Sequence, residues 1–113
     1  MRILVLTFLI SCYNLSEHEI QIKNSTNIIF DSVTIKVCSK EVGLIKSIKP
    51  NTINNGILYD VTSCKDVYYE LNFFVDDSIK ARTVWFDNDL GYVPEHIKFE
   101  IDSLFEIKQK LAF

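Results

Sequence analysis

Three cysteines, two histidines and one acidic loop are the side chains with the most chemistry to offer. Cys38 and Cys64 stand 26 residues apart. In an oxidising compartment they can pair, closing a loop that stabilises by roughly 3.5 kcal/mol on the chain-entropy model. The alternative is two buried free thiols, because spacing does not show whether the two Cα atoms approach. A lone pair at this spacing is no zinc pattern. His18 and His96 fall into neither a zinc triad nor a Ser-His-Asp order, and read as exposed polar residues. Asp87-Asn88-Asp89-Leu90-Gly91 opens like a calcium loop. Gly91 then takes the third ligand position and no bidentate glutamate closes the loop, so it reads as a polar link between strands. No metal site and no cofactor is expected. A Gly-rich phosphate loop, a carboxylate pair and a nucleophile elbow are all missing, so the chain reads as no enzyme.

The elements that must carry these residues are strands. The chain has 113 residues, the size of one domain, with 48% hydrophobic and 24% charged residues, a globular composition. Its net charge of -3 gives no electrostatic case for nucleic acid. Period-two alternation predicts strands over 19–23, 28–37, 42–48, 57–61, 67–75, 81–86, 96–101 and 105–109. Asn51–Gly56 reads as a turn-rich loop after Pro50. In the fifth strand Val67, Tyr69, Leu71, Phe73 and Val75 share one face. Seven to eight short strands at this spacing predict an all-β, antiparallel β-sandwich. Most of the eight phenylalanines go to its core. Tyr68 and Phe74 fall on the outward face of the fifth strand. Trp85 joins them if Val84 and Phe86 point inward, giving a candidate binding surface of Tyr68, Phe74 and Trp85.

The N-terminus carries an address. Arg2 precedes an apolar run, Ile3–Ile10, of signal-peptide length and far too short to span a membrane. Leu9-Ile10-Ser11-Cys12 resembles the lipobox of bacterial lipoproteins. The resemblance implies a lipoprotein signal peptide over 1–11, lipidation of Cys12, and a tether over 12–18. The β-sandwich domain would follow over 19–113. Cys12 would hold the chain to the membrane through its acyl chains, each buried methylene adding about 0.8 kcal/mol. The competing readings are a buried first strand ending in Cys12 and an ordinary cleaved signal peptide. Tyr13 after Cys12 resembles the sorting signal of outer-membrane lipoproteins, so the implied location is the cell envelope, at the outer membrane.

The run of strands and turns, from Glu19-Ile20-Gln21-Ile22 through Tyr68-Tyr69-Glu70-Leu71 to Gly91-Tyr92, resembles small lipoproteins of Bacteroidota. Those proteins have immunoglobulin-like or transthyretin-like sandwiches and no assigned reaction. Trp85 follows both Cys38 and Cys64, unlike the immunoglobulin arrangement. Asp31-Ser32-Val33, Asp77-Ser78-Ile79 and Asp102-Ser103-Leu104 resemble the O-glycosylation site of Bacteroidota envelope proteins, which would make Ser32, Ser78 and Ser103 acceptors. The plainer reading is that Asp-Ser opens turns. Asn24-Ser25-Thr26 matches an N-glycan sequon, inert in a bacterial lipoprotein. The function expected is a lipid-anchored, non-catalytic envelope protein that binds a protein or glycan. The alternative is an immunity or inhibitor protein meeting a basic toxin through Asp76, Asp77, Asp87 and Asp89.

Overall fold

Val33, Ile35 and Val37 lie on β2 (Phe30–Val37), opposite Phe73, Leu71 and Tyr69 of β5 (Tyr68–Val75). All six are fully buried, so one face of this antiparallel ladder is core. In the computed structural model, which describes residues 18–62, 64–86 and 95–113, the chain forms eight strands and no helix among the described residues. The others are β1 (His18–Asn24), β3 (Lys40–Ile48), β4 (Thr52–Leu58), β6 (Ser78–Phe86), β7 (His96–Ile101) and β8 (Ile107–Lys110). They make two four-stranded sheets, ordered β4-β1-β7-β8 and β3-β2-β5-β6. The sheets pack face to face as an all-β sandwich around one cluster of buried side chains. Tyr69 from one sheet meets Phe99 from the other edge to face, ring centroids 6.0 Å apart. Each such side chain adds about 1.5–3 kcal/mol by leaving water. Among the described residues every pairing is antiparallel but one: β1 lies parallel to β7, Ile20 beside Ile97 and Ile22 beside Phe99.

Two tight turns set the registers of the second sheet. Cys38–Ser39 joins β2 to β3 and Asp76–Asp77 joins β5 to β6, with positive φ at all four residues. Two left-handed residues in a two-residue loop match the twist of the flanking strands. Asp31 Oδ2 accepts the Asp76 N–H at 2.5 Å and holds the second turn in place. This turn lets β6 begin at Ser78 rather than at Ala81. In the other sheet the last hairpin is joined by residues 102–106 rather than by Asp102-Ser103 alone, so β8 starts at Ile107.

The expected loop over Asn51–Gly56 is mostly strand, and the expected strand over Ile57–Val61 is not. β4 runs Thr52–Leu58 and pairs with β1 along its whole length. An edge strand needs little apolar surface, and its asparagines are satisfied locally. Gln21 Nε2 donates to Asn55 Oδ1 at 2.8 Å, and Asn54 Nδ2 donates to the Ile22 carbonyl at 3.3 Å.

The edges β3 and β4 belong to different sheets yet close one side of the sandwich together. Two glycines allow it. A Cβ on Gly43 would lie 2.7 Å from Leu58 Cδ2, and a Cβ on Gly56 would lie 2.8 Å from Ile45 Cδ1. Each strand thus offers a hole to a side chain of the other. The Tyr59 N–H donates to the Val42 carbonyl at 2.8 Å and ties the strands at one end of the corner.

Candidate functional site

The reciprocal packing at this corner dictates what faces water. In Gly43-Leu44-Ile45 and Gly56-Ile57-Leu58 the glycine and the third residue turn inward, so the middle residue turns out. Leu44 is 51% exposed, Ile57 39%, and Tyr59, just beyond β4, 65%. These three line an open groove of about 590 Å³ that continues into a second depression of about 330 Å³. Its charged lining consists of Glu19, Glu41 and Asp60, with no basic side chain among the lining residues. Lys40 is close by, its Nζ donating to the Asp60 carbonyl at 3.0 Å. Glu19 Oε2 also lies 3.2 Å from His96 Nδ1. An apolar floor with an acidic rim can seat an aliphatic or aromatic side chain flanked by positive charge.

The expected trio of Tyr68, Phe74 and Trp85 does not come together. Tyr68 and Phe74 stand half-buried near the two ends of β5. Tyr68 OH is hydrogen-bonded to Ser39 Oγ, and Phe74 lies opposite Ser32 and Ile79. Trp85 is on the other face of the sheet. It is paired across the ladder with Tyr69, a core residue, because the inward stripe of β6 is Ala81, Thr83 and Trp85. The condition on which Trp85 would join them is not met on the same register: Val84 opposes Glu70 and is exposed.

The sequence matches no protein-family model, no curated protein and no solved structure.

The remaining candidate residues fall into separate places. Cys38 and Cys64 form a disulfide with their Cα atoms 6.0 Å apart. Ser78 and Ser103 are exposed, and Ser32 is half-buried in the central strand β2. The aspartate beside Ser103 builds a turn: Asp102 Oδ1 accepts the N–H groups of Leu104 and Glu106 at 2.9 and 3.0 Å. No group of three His, Cys, Asp or Glu side chains is placed to hold a metal ion among the described residues. Cys12, the signal segment and Asp87–Gly91 lie outside the described residues.

Outside the groove, the middle of the β3-β2-β5-β6 sheet carries one polar cluster on its outer face. Glu70 accepts from Asn72 Nδ2 and Arg82 Nη2, both at 3.0 Å, and Lys36 Nζ lies 3.8 Å away. The Asn72 hydrogen bond, then Arg82, holds the Glu70 carboxyl below its ordinary range against the opposing effect of burial. This cluster covers the ladder.

The groove was not legible in the sequence. Asn55 and Gly56 fall in the expected loop Asn51–Gly56, and Ile57 opens an expected strand that would run on to Val61. Leu44 looks like core in an apolar stretch. The signal that could have found the groove is the repeat of a glycine followed by two aliphatics, Gly43-Leu44-Ile45 and Gly56-Ile57-Leu58, on neighbouring strands.

Proposed function

We propose that this chain is a non-catalytic binding module, held in the bacterial cell envelope at the outer membrane by lipid on Cys12, that takes a protein partner at the β3–β4 corner. The observation that carries the binding reading is that Leu44, Ile57 and Tyr59 are exposed side by side in one groove. The anchor rests on the resemblance of Leu9-Ile10-Ser11-Cys12 to the lipobox. A glycan partner is less favoured, because Tyr59 is the one aromatic side chain lining the groove.

A photo-crosslinking residue placed at position 59 tests the binding site in the native host. The expected result is one partner protein, captured at position 59 and lost in L44D and I57D. Monomer alone, or a partner captured equally by both variants, would reject the groove. The intact mass from the membrane fraction tests the anchor: Cys12–Phe113 plus acyl chains is expected, and a mass starting at Met1 would reject it. The same spectrum reads glycosylation, proposed at the exposed Ser78 and Ser103; Ser32, inside a ladder, is the poorest acceptor of the three.

The acidic rim of Glu19, Glu41 and Asp60 favours a second reading, an immunity or inhibitor protein against a basic secreted toxin or enzyme. Asp76 and Asp77 would serve it less well, since they are spent on the β5–β6 turn and do not line the groove. Deleting the gene should then leave cells sensitive to their siblings; unchanged survival rejects it.

A further inference from the structure

A second apolar surface lies across the molecule from the groove. The sheet order β4-β1-β7-β8 puts the groove beside one edge strand and the segment after β8 at the other edge. Leu111 in that segment is 98% exposed and Phe113 41%. Lys108 and Lys110 lead into it, Lys110 sharing Glu100 at 3.5 Å. The segment therefore joins an aliphatic and an aromatic side chain to positive charge. The groove has the complementary make-up, an apolar floor and an acidic rim.

The segment does not reach its own groove. Adjacent strands are about 4.8 Å apart, so β8 and β4 are separated by about 14 Å. Three residues, fully extended, span about 10 Å and would have to curve over the sheet. The two surfaces can meet only between molecules.

We infer that Lys110–Phe113 of one copy docks in the β3–β4 groove of a second copy. Leu111 seats against Leu44, Ile57 and Tyr59, and Lys110 exchanges Glu100 for Glu41 and Asp60. This rests on the reading of the groove as a docking surface and names its occupant. The contact is heterologous, so a pair of copies keeps one free groove and one free segment and the assembly extends head to tail. It is smaller than a standard protein interface, and the association is correspondingly weak.

Amide NMR of the purified chain tests this. With rising concentration, shifts are expected at Leu44, Ile57 and Tyr59 and at Leu111, Ala112 and Phe113 together. L44D and L111D should each weaken self-association by about tenfold or more, since each removes a buried aliphatic contact. Leu111 is almost fully exposed in the single molecule and Leu44 half exposed, and neither belongs to the buried core.

Mixing the two variants is decisive. L111D keeps an intact groove and L44D an intact segment, so together they form a capped dimer. Labelled L111D should shift only at the groove when unlabelled L44D is added, and labelled L44D only at the segment when L111D is added. A silent mixture, or wild-type shifts that do not change with concentration, overturns the inference. Neither result touches the groove itself, which stands if position 59 still crosslinks to a different protein.

Discussion

Two links carry the chain from the β4-β1-β7-β8 sheet into the other, and they are held by different physics. Residues 25–29 join β1 to β2, and residues 59–67 join β4 to β5. The short link is tied by polar side chains, with Asn24 at their centre. Asn24 is fully buried, and its Nδ2 donates to the carbonyls of Ile28 and Ile48 at 3.0 and 3.2 Å. Its Oδ1 accepts from the backbone N–H and the hydroxyl of Thr26 at 3.0 and 2.6 Å. The long link buries Val67 and half-buries Val61, and it is stapled to the β2–β3 turn through Cys64 and Cys38. A five-residue link can be satisfied by a few polar side chains: the Asn24 amide makes four bonds, and Thr26 Oγ1 and Ser25 Oγ make the others. A nine-residue link buries less of itself, and a crosslink stabilises it by limiting the unfolded chain.

The largest effect expected separates the two at once. N24A strands the Ile48 carbonyl and the Thr26 N–H in the interior. At about 1–3 kcal/mol for each stranded group, the loss should be about 4 kcal/mol in urea unfolding. N24D should not recover it, because a buried carboxylate oxygen would face the Ile28 and Ile48 carbonyls where Nδ2 donates. The C38S/C64S double variant should lose about 3.5 kcal/mol. A dithiol reductant should bring the wild type to the same midpoint and leave the double variant unmoved. The comparison breaks if reductant destabilises N24A by clearly more or less than it destabilises the wild type, because the links would then be coupled.

These links also mark how far the sequence could be read. Alternation exposed the buried faces of β2, β5 and β7, since Val33-Ile35-Val37, Tyr69-Leu71-Phe73 and Ile97-Phe99-Ile101 each lie between polar or exposed neighbours. It failed on β4, where Asn54, Asn55 and Gly56 have turn-forming composition but sit in a ladder with β1. It was ambiguous on β6, where either set of alternate residues can pass for the core face, and the ladder with β5 decided. Asn24 reads as the head of an N-glycan sequon, yet it is the buried anchor of the turn after β1. The groove depends on two glycines that accept side chains from another sheet; the repeated glycine and two aliphatics mark them locally, but which strands meet is a long-range fact.

The β3–β4 corner sharpens the comparison, because packing closes it with one backbone hydrogen bond at its end. G56A puts a methyl 2.8 Å from Ile45 Cδ1 and Cγ1 and should cost about 1–3 kcal/mol by overpacking. Adding I45A should cost less in G56A than in the wild type, since the truncation relieves the clash. The G56A loss should be the same with and without reductant. An additive double variant would mean that the backbones move apart and that the corner is not set by the glycines.

Acid gives the smallest effect and the finest contrast. Ser25, in the short link, donates its hydroxyl to Glu100 Oε2 at 2.5 Å. That hydrogen bond is the main reason the Glu100 carboxyl titrates below its ordinary value of 4.5; burial opposes it, and Lys110 and Lys23 assist. A carboxyl whose pKa is lowered by folding stabilises the fold fully above its unfolded value. That stabilisation is lost as the pH falls from about 4.5 through the folded value. The contribution is under about 1 kcal/mol for a pair that is partly open to water. The disulfide does not titrate, so acid should loosen the short link and leave the long one alone. Hydrogen-exchange protection, corrected for intrinsic rates, should therefore fall at Thr26 and Ile28 between pH 6 and pH 3, but not at Val67. In S25A the fall at Thr26 and Ile28 should shrink, because the group that holds Glu100 ionised is gone. Equal losses of protection at both links would show that acid acts on the sandwich as a whole, and the distinction between them would then rest on the reductant alone.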